Sequence, residues 1–280
     1  MKDFSKGSVS SERFLFVPGV AGSGKSFTLE RVFSQIPEFQ PRHDERGIFI
    51  RPLISATTRK QATTKDILIM LLEEMDLPAE GSERALTKLL QEQLRAQKVH
   101  YVHMDEFQHS LRSGTPKTIE GVQDALKNLV AMPDWPLHII LSGVPRLDKL
   151  RVDDNQIMRR SHVVPFRPLK VPDDNKFIMD AMKTVIVDHC GLEMDETLLD
   201  KNFPSRLCRA KIGGWGSIIE MVQNACFTAI ENGRPTVTVK HFAYLYRINT
   251  GCIPKDNIFT SNRWKLLKPQ NSLIDFAEDA

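Results

Sequence analysis

Eight consecutive residues, Gly19-Val20-Ala21-Gly22-Ser23-Gly24-Lys25-Ser26, fill every fixed position of the pattern GxxxxGK[ST]. The chemistry served by that pattern is the grip of a polyphosphate. Backbone N–H groups from about Gly22 to Ser26 form a concave nest at the positive end of a helix, Lys25 reaches the β and γ phosphates, and the Ser26 hydroxyl ligates Mg²⁺. Phe27 follows in the first helical turn and is counted with the nucleotide-contacting residues. A second constellation, Asp105-Glu106, ends the largely apolar run Val99 to Met104. At a strand tip Asp105 would hold Mg²⁺, usually through a water, while Glu106 would orient and polarise the water that attacks the γ-phosphate. ATP and Mg²⁺ are therefore the expected ligands.

Three further groups have the right chemistry without a pattern of their own. Ser142 closes the apolar run Leu137 to Leu141, where its hydroxyl could sense the γ-phosphate, help hold the lytic water, or simply begin a turn beside Gly143. Arg159-Arg160 lie far from the phosphate loop in sequence, and an arginine there, Arg160 before Arg159, could project from a domain edge to complete a neighbour's site. Paired arginines also occur as plain solvated or phosphate-binding groups. The stretch Thr57 to Lys65 alternates hydroxyls and cations, which suits contacts to a nucleic-acid backbone and equally suits a solvated loop; Arg146, Lys149 and Arg151 carry the same ambiguity. The histidines have no metal-ligand spacing: His100 and His103, three apart on a strand, face opposite sides.

These residues need a scaffold in which strands deliver them and helices cover the sheet. The run Phe14 to Val17 reads as a buried strand and Phe27 to Ile36 as an amphipathic helix stopped by Pro37. Further strands are expected over 48–54, 99–104, 137–143 and 162–166. Helices are expected between them around Ile67 to Met75, from an N-cap at Ser82 through Leu94, and from the Thr115-Pro116 pair to Val130. Five strands alternating with helices predict a parallel sheet covered on both faces, an α/β P-loop domain over 1–167. The strand between the two motifs points to the additional-strand class of P-loop ATPases. After a linker at 167–172 nearly everything reads as helix, giving a small helical lid over 168–250, and 251–280 reads as a C-terminal tail with Trp264 as an anchor for a partner or for the lid itself.

With 38 Lys and Arg against 35 Asp and Glu, the net charge of +3 does not by itself argue for a nucleic-acid partner. The 280 residues include no apolar stretch of the length a bilayer requires, and the first residues lack a signal peptide's apolar core, so the expectation is a cytoplasmic protein with no membrane partner. The four cysteines, Cys190, Cys208, Cys226 and Cys252, form no CxxC pair and are expected reduced and buried.

Taken together, the phosphate loop Gly19 to Ser26, the phrase Met104 to His109 followed by Ser113-Gly114-Thr115, the strand Ile139 to Gly143 leading into Val144-Pro145-Arg146-Leu147, and Gln156 to Arg160 give a chain that resembles the AAA+ ATPases of transposition modules. That group includes TniB, TnsC and MuB, and the likeness to TniB is strongest. The resemblance spans roughly residues 12 to 247. It implies a homo-oligomer, ring or filament, with nucleotide between subunits. Such an assembly would form on double-stranded DNA and recruit or activate a DDE-type transposase, with a target-selection adaptor as a further partner. By matching positions it implies Ser142 as the first sensor and Arg160 as the finger. The lid segment Gly213-Gly214-Trp215-Gly216-Ser217 departs from it, with no arginine where many AAA+ proteins carry a second sensor. A helicase loader or replication initiator shares the same motifs, and a nucleotide-dependent scaffold or switch without nucleic acid would share the phosphate loop.

Overall fold

The computed structural model describes residues 12–111 and 115–269. Ser113 and Gly114 of the motif phrase, the residues before Glu12, and the acidic end with Asp275, Glu278 and Asp279 lie outside the described residues. Contacts divide the chain into two units: one ends at Phe166, the other begins at Arg167, and Gly22–Gly24 group with the second.

In the first unit, β1 (Phe14–Pro18), β2 (Leu53–Thr57), β3 (Tyr101–Asp105), β4 (His138–Gly143) and β5 (Ser161–Val163) form one five-stranded sheet in the order β2-β3-β4-β1-β5. Every neighbouring pair is parallel. This is the P-loop fold of the AAA+ type expected from the alternation of strands and helices. The strand lying between β1 and β3 is β4, which follows both in sequence, whereas β2 sits at the edge. The step from β1 over two strands to β2 creates a topological switch, and in open parallel sheets the crevice outside the carboxyl ends at such a point is where ligands bind.

The second strand is displaced from its expected span. Pro52 has no N–H to give a ladder, so Phe49–Ile50 turns aside to pair antiparallel with Arg42–His43, and the sheet strand starts at Leu53. It continues through Ser55 and Thr57 because period-two alternation buries Ile54 and Ala56 while leaving those two polar residues on the other face.

Helices α1 (Lys25–Gln35), α2 (Thr64–Glu73), α3 (Glu83–Ala96), α4 (Pro116–Val130) and α5 (Asn155–Arg159) belong to the unit, with one further helical turn at Lys149–Val152. Thr63 caps α2 in a capping box with Asp66, Ser82 caps α3 through the Ala85 N–H, and Thr115 precedes Pro116 as the cap of α4. Leu86, Leu90 and Leu94 repeat every fourth residue along α3 and are fully buried, so truncating any one to alanine would cost about 2–5 kcal/mol. The two faces of the sheet differ in kind. Phe14, Phe16, Val102, Met104, Ile139 and Leu141 join a large apolar core with α2, α3 and α4. On the α1 side the apolar cluster is small, with Val17, Leu29, Phe33 and Ile140 at its centre, and the strands present polar side chains there instead.

The second unit is helical: α6 (Asn175–Lys183), which continues as a π-helical turn over Thr184–His189, then α7 (Phe203–Ala210), α8 (Trp215–Glu231) and α9 (Val239–Thr250). Its core gathers Ile178, Met182, Phe203, Leu207, Val222 and Phe242. The expected tail is, through Pro269, no loose appendage. Ile258 and Phe259 are buried among Phe203, Phe242 and Tyr246, and Trp264 is 8% exposed beneath the Arg206 guanidinium, 5.2 Å from its ring centre. Arg206 also donates to the carbonyls of Ile258 and Ser261. This segment has no helical periodicity because it is held by aromatic packing and side-chain-to-backbone bonds, neither of which leaves a repeating pattern. Cys190 is half-buried and the other three cysteines are buried, all as free thiols.

Candidate functional site

The carboxyl ends of β1, β3 and β4 lie side by side, and each delivers one part of the site. From β1 the chain enters the loop Gly19 to Gly24, in which Gly22 and Gly24 adopt φ of 72° and 86°, left-handed angles that a side chain would strain. The loop delivers Lys25 and Ser26 into the first turn of α1. Lys25 is 5% exposed, and its ammonium donates to the carbonyls of Gly19 at 2.8 Å and Val20 at 3.0 Å. Burial lowers its pKa from the usual lysine value, opposed by the charges of Glu106 and Asp105. The phosphate loop and the acidic pair, eighty residues apart, thus act on one another. Phe27 faces outward, 75% exposed.

Asp105, at the tip of β3, is the meeting point. Its Oδ2 accepts from the Ser26 hydroxyl at 2.5 Å, and its Oδ1 accepts from the Ser142 hydroxyl at 2.5 Å and from the Glu106 N–H at 2.8 Å. Burial pushes the carboxyl up, but the Ser142 and Ser26 hydroxyls, the Glu106 N–H and His103 together outweigh it and hold the pKa below the usual carboxylate range. The aspartate is therefore ionised. Ser142 is fully buried, with its single proton committed to that carboxylate.

Glu106 takes φ of 51°, a left-handed angle costing on the order of 1 kcal/mol for a residue with a Cβ, and strain of this kind persists where surrounding bonds over-determine it. Here the bond from its own N–H to Asp105 and the His109 N–H donating to its carbonyl at 2.9 Å pin the turn. Its side chain accepts from Gln108 Nε2 at 2.5 Å, and the Gln108 carbonyl oxygen in turn accepts the Val144 N–H at 3.1 Å. The backbone donor decides which end of the amide faces Glu106. Gly143 makes room for this: a Cβ there would lie 2.1 Å from Gln108 Oε1. Gly143→Ala is accordingly expected to expel the Gln108 amide with the fold intact. Hydrogen exchange at Val144 should then rise roughly fivefold, from loss of a bond contributing ~1 kcal/mol. Unchanged protection of Val144 would refute the clamp.

Two other groups escape a reading of motifs. Thr58, which the basic stretch suggests is at the surface, is 2% exposed at the end of β2; its N–H donates to the Asp105 carbonyl and its hydroxyl has no partner among the described residues. His103, with the same parity on β3 as Asp105, bridges Ser55 and Ser142 on the α1 side of the sheet. That parity, with Ser142 on the next strand, is the signal that could have found it.

Arg160 and the basic clusters lie elsewhere. The Arg160 carbonyl accepts from Arg13 N–H and Phe14 N–H, at the entry end of β1, opposite the end from which the phosphate loop leaves. Its exposed side chain lines a cavity of about 480 Å³ with Phe14, Lys127 and Gln156, a full strand length away from Lys25. An arginine so placed does not serve its own chain's phosphate loop. Of the cations in 57–65, Arg59 pairs with Glu73 at 2.5 Å; in the second cluster Arg151 pairs with Asp148 at 3.0 Å and Arg146 donates to the Leu111 carbonyl.

The arrangement offers a buried ammonium, a hydroxyl and an ionised carboxylate in contact, and a glutamate held beside them. The Ser26 and Asp105 atoms that could hold a cation are oxygens, the donor type that a hard cation such as Mg²⁺ takes, and Thr58 adds a buried hydroxyl with no partner among the described residues.

Residues 8–150 match the family model described as an AAA domain. No curated protein matches the chain in sequence. Among solved structures, the chain is similar to the Orc2 protein of Aeropyrum pernix in its ADPNP-ADP complexes, with a TM-score of 0.58 and 15% identity over 86% of this chain and 63% of that one. It is also similar to Cdc6p from Pyrobaculum aerophilum, with a TM-score of 0.58 and 12% identity over 87% of this chain and 62% of that one. The chain spans about three-fifths of the length of these structures, and at such identities the likeness is one of fold.

Proposed function

Because this chain belongs to the AAA domain family, we propose that it is a Mg²⁺-dependent ATPase. With ATP bound it oligomerises on double-stranded target DNA and recruits or activates a DDE-type transposase, and hydrolysis controls disassembly. The observation that carries the ATPase part is the Ser26-Asp105 contact at 2.5 Å, which joins the phosphate loop to the acidic strand tip. In this reading the loop from Gly19 to Phe27 binds the nucleotide, Lys25 neutralises its β and γ phosphates, and Ser26 and Asp105 hold Mg²⁺, which would offset charge on the phosphoryl oxygens. Glu106 orients the attacking water. Ser142 serves hydrolysis through its bond to Asp105.

Support for assembly comes from Arg160, which stands at the wrong end of β1 for its own nucleotide and at an exposed edge suited to a neighbour's. Where it operates, a finger supplied in trans is worth ~10³ or more in rate. An Arg160→Ala chain and a Glu106→Gln chain should each be nearly inactive, and an equimolar mixture should recover a measurable fraction of wild-type turnover. No recovery on mixing would argue against action in trans.

The transposition part rests on the motif phrases shared with the TniB-like group. A target-selection adaptor as a further partner and a cytoplasmic setting belong to the same reading; no helix among the described residues is long and apolar enough to cross a membrane. The deciding experiment is electron microscopy with double-stranded DNA and a non-hydrolysable ATP analogue, with ATP-dependent stimulation of a purified DDE-type transposase alongside. Rings or filaments on DNA are expected. DNA binding that is independent of ATP, or absent, would remove the reading, while salt-sensitive, ATP-dependent binding would exclude a scaffold without nucleic acid. A second reading, which shares the same motifs, is a replication-initiator or helicase-loader ATPase; stimulation of a helicase rather than a transposase would select it.

A further inference from the structure

Four strand-borne polar side chains and one from α1 form a single chain of hydrogen bonds beneath the candidate site. The Ser55 hydroxyl meets His103 Nδ1 at 2.8 Å, His103 Nε2 meets the Ser142 hydroxyl at 2.8 Å, Ser142 reaches Asp105 Oδ1 at 2.5 Å, and Ser26 reaches Asp105 Oδ2 at 2.5 Å. His103 is 2% exposed, with Phe33 of α1 packed edge-on against its ring at 5.1 Å.

The direction of every bond follows from one end. An ionised carboxylate only accepts, so Ser142 must spend its one proton on Asp105. The Ser142 oxygen is then left as an acceptor, which requires the proton of His103 to sit on Nε2. With Nε2 protonated on a neutral ring, Nδ1 is an acceptor and the Ser55 hydroxyl is its donor. The geometry suits a neutral ring: it is buried, its Nδ1 meets the Ser55 hydroxyl rather than a carboxylate, and Phe33 packs against it.

We infer that His103 is a positioning residue: by donating from Nε2 it holds the Ser142 hydroxyl on Asp105, fixing the orientation of the carboxylate that the site offers to Mg²⁺. Phe33, on the same helix as Ser26, keeps the ring from rotating out of that alignment. The inference rests on the ATPase reading above for its consequence in turnover, but its geometric content stands separately.

Two measurements on the full chain test it. Long-range proton–nitrogen NMR of histidine-labelled protein, with the His103→Gln variant identifying the signal, should show the His103 proton on Nε2 and none on Nδ1. A population dominated by the Nδ1–H form overturns the inference. In kinetics, His103→Leu should lower turnover about 10- to 100-fold, the usual size for a partner that orients a metal ligand, while nucleotide affinity measured without magnesium stays within about twofold. His103→Gln, whose amide can donate from the place of Nε2, should recover most of the loss. Unaltered turnover in His103→Leu, or no recovery in His103→Gln, refutes it. Should His103→Leu fail to fold, Ser55→Ala at the exposed end of the chain carries the test: turnover should fall and the Nδ1–H form should gain population, and no change in either would sink the idea. Wild-type protein with no ATP turnover removes the ATPase reading instead, and the tautomer then decides the inference alone.

Discussion

Replacing Lys25 with alanine should reduce ATP turnover by on the order of 10²–10³ and weaken ATP binding with it, the scale expected when one preorganised charge on the reacting phosphate is lost. The argument is local. Lys25 is buried at the opening of α1, tied to the carbonyls of Gly19 and Val20, and lies within the electrostatic reach of Asp105 and Glu106. No other cation occupies the GxxxxGK[ST] lysine position. The side chain spans the loop and carries none of the apolar core, and its removal takes away a buried charge together with its two bonds to carbonyls, so the fold is expected to survive. Calorimetric titration with ATP, beside a thermal melt, separates the outcomes. A well-folded Lys25→Ala protein that binds ATP as the wild type does would end the nucleotide reading and, with it, ATP-dependent assembly on DNA.

The second large effect is expected at Glu106, and its character differs. Glu106→Gln should cut turnover about 10²–10⁴-fold, the range attributed to a positioned proton acceptor, while leaving ATP affinity close to wild type. The neutral side chain is nearly the same size and its carbonyl oxygen can still accept from Gln108, so the strained turn at φ 51° and the Gln108-Val144 link should persist. What is lost is basicity. With binding intact and hydrolysis blocked, assemblies on DNA should outlive those of the wild type, which a filter-retention time course with ATP reads directly. Rapid disassembly in Glu106→Gln would mean that hydrolysis does not control release. The contrast between the two variants is itself diagnostic: Lys25→Ala loses binding and turnover together, Glu106→Gln turnover alone.

Both substitutions address residues that a linear pattern identifies, and the reason is physical. A phosphate nest needs contiguous backbone amides, so its glycines, lysine and serine must be neighbours in sequence, and a strand-tip acid pair is likewise continuous. The central strands β1, β3 and β4 were legible for a similar reason, since buried parallel strands read as apolar runs; β2 and β5 are edge strands, exposed at Ser55 and Thr57 in one and at His162 and Val163 in the other, and both are displaced from their expected spans, β5 to Ser161–Val163. The packed segment after Gly251 reads as a tail in sequence because contacts such as Arg206 on Trp264 have no periodic signature.

The chain's own order of residues determined that a GxxxxGK[ST] loop, an acidic strand tip and a helical second unit are present, because each is a local pattern written in adjacent residues. Only the tertiary structure decided which side chains act on them. Seating β4 between β1 and β3 brought Ser142 onto Asp105, parity on β3 turned His103 to the same face, the absence of a Cβ at Gly143 let Gln108 reach Glu106, and the start of β5 carried Arg160 away from its own loop. Those contacts join residues tens of positions apart, and their distances are set by strand order and pleat, quantities that no spacing along the chain encodes.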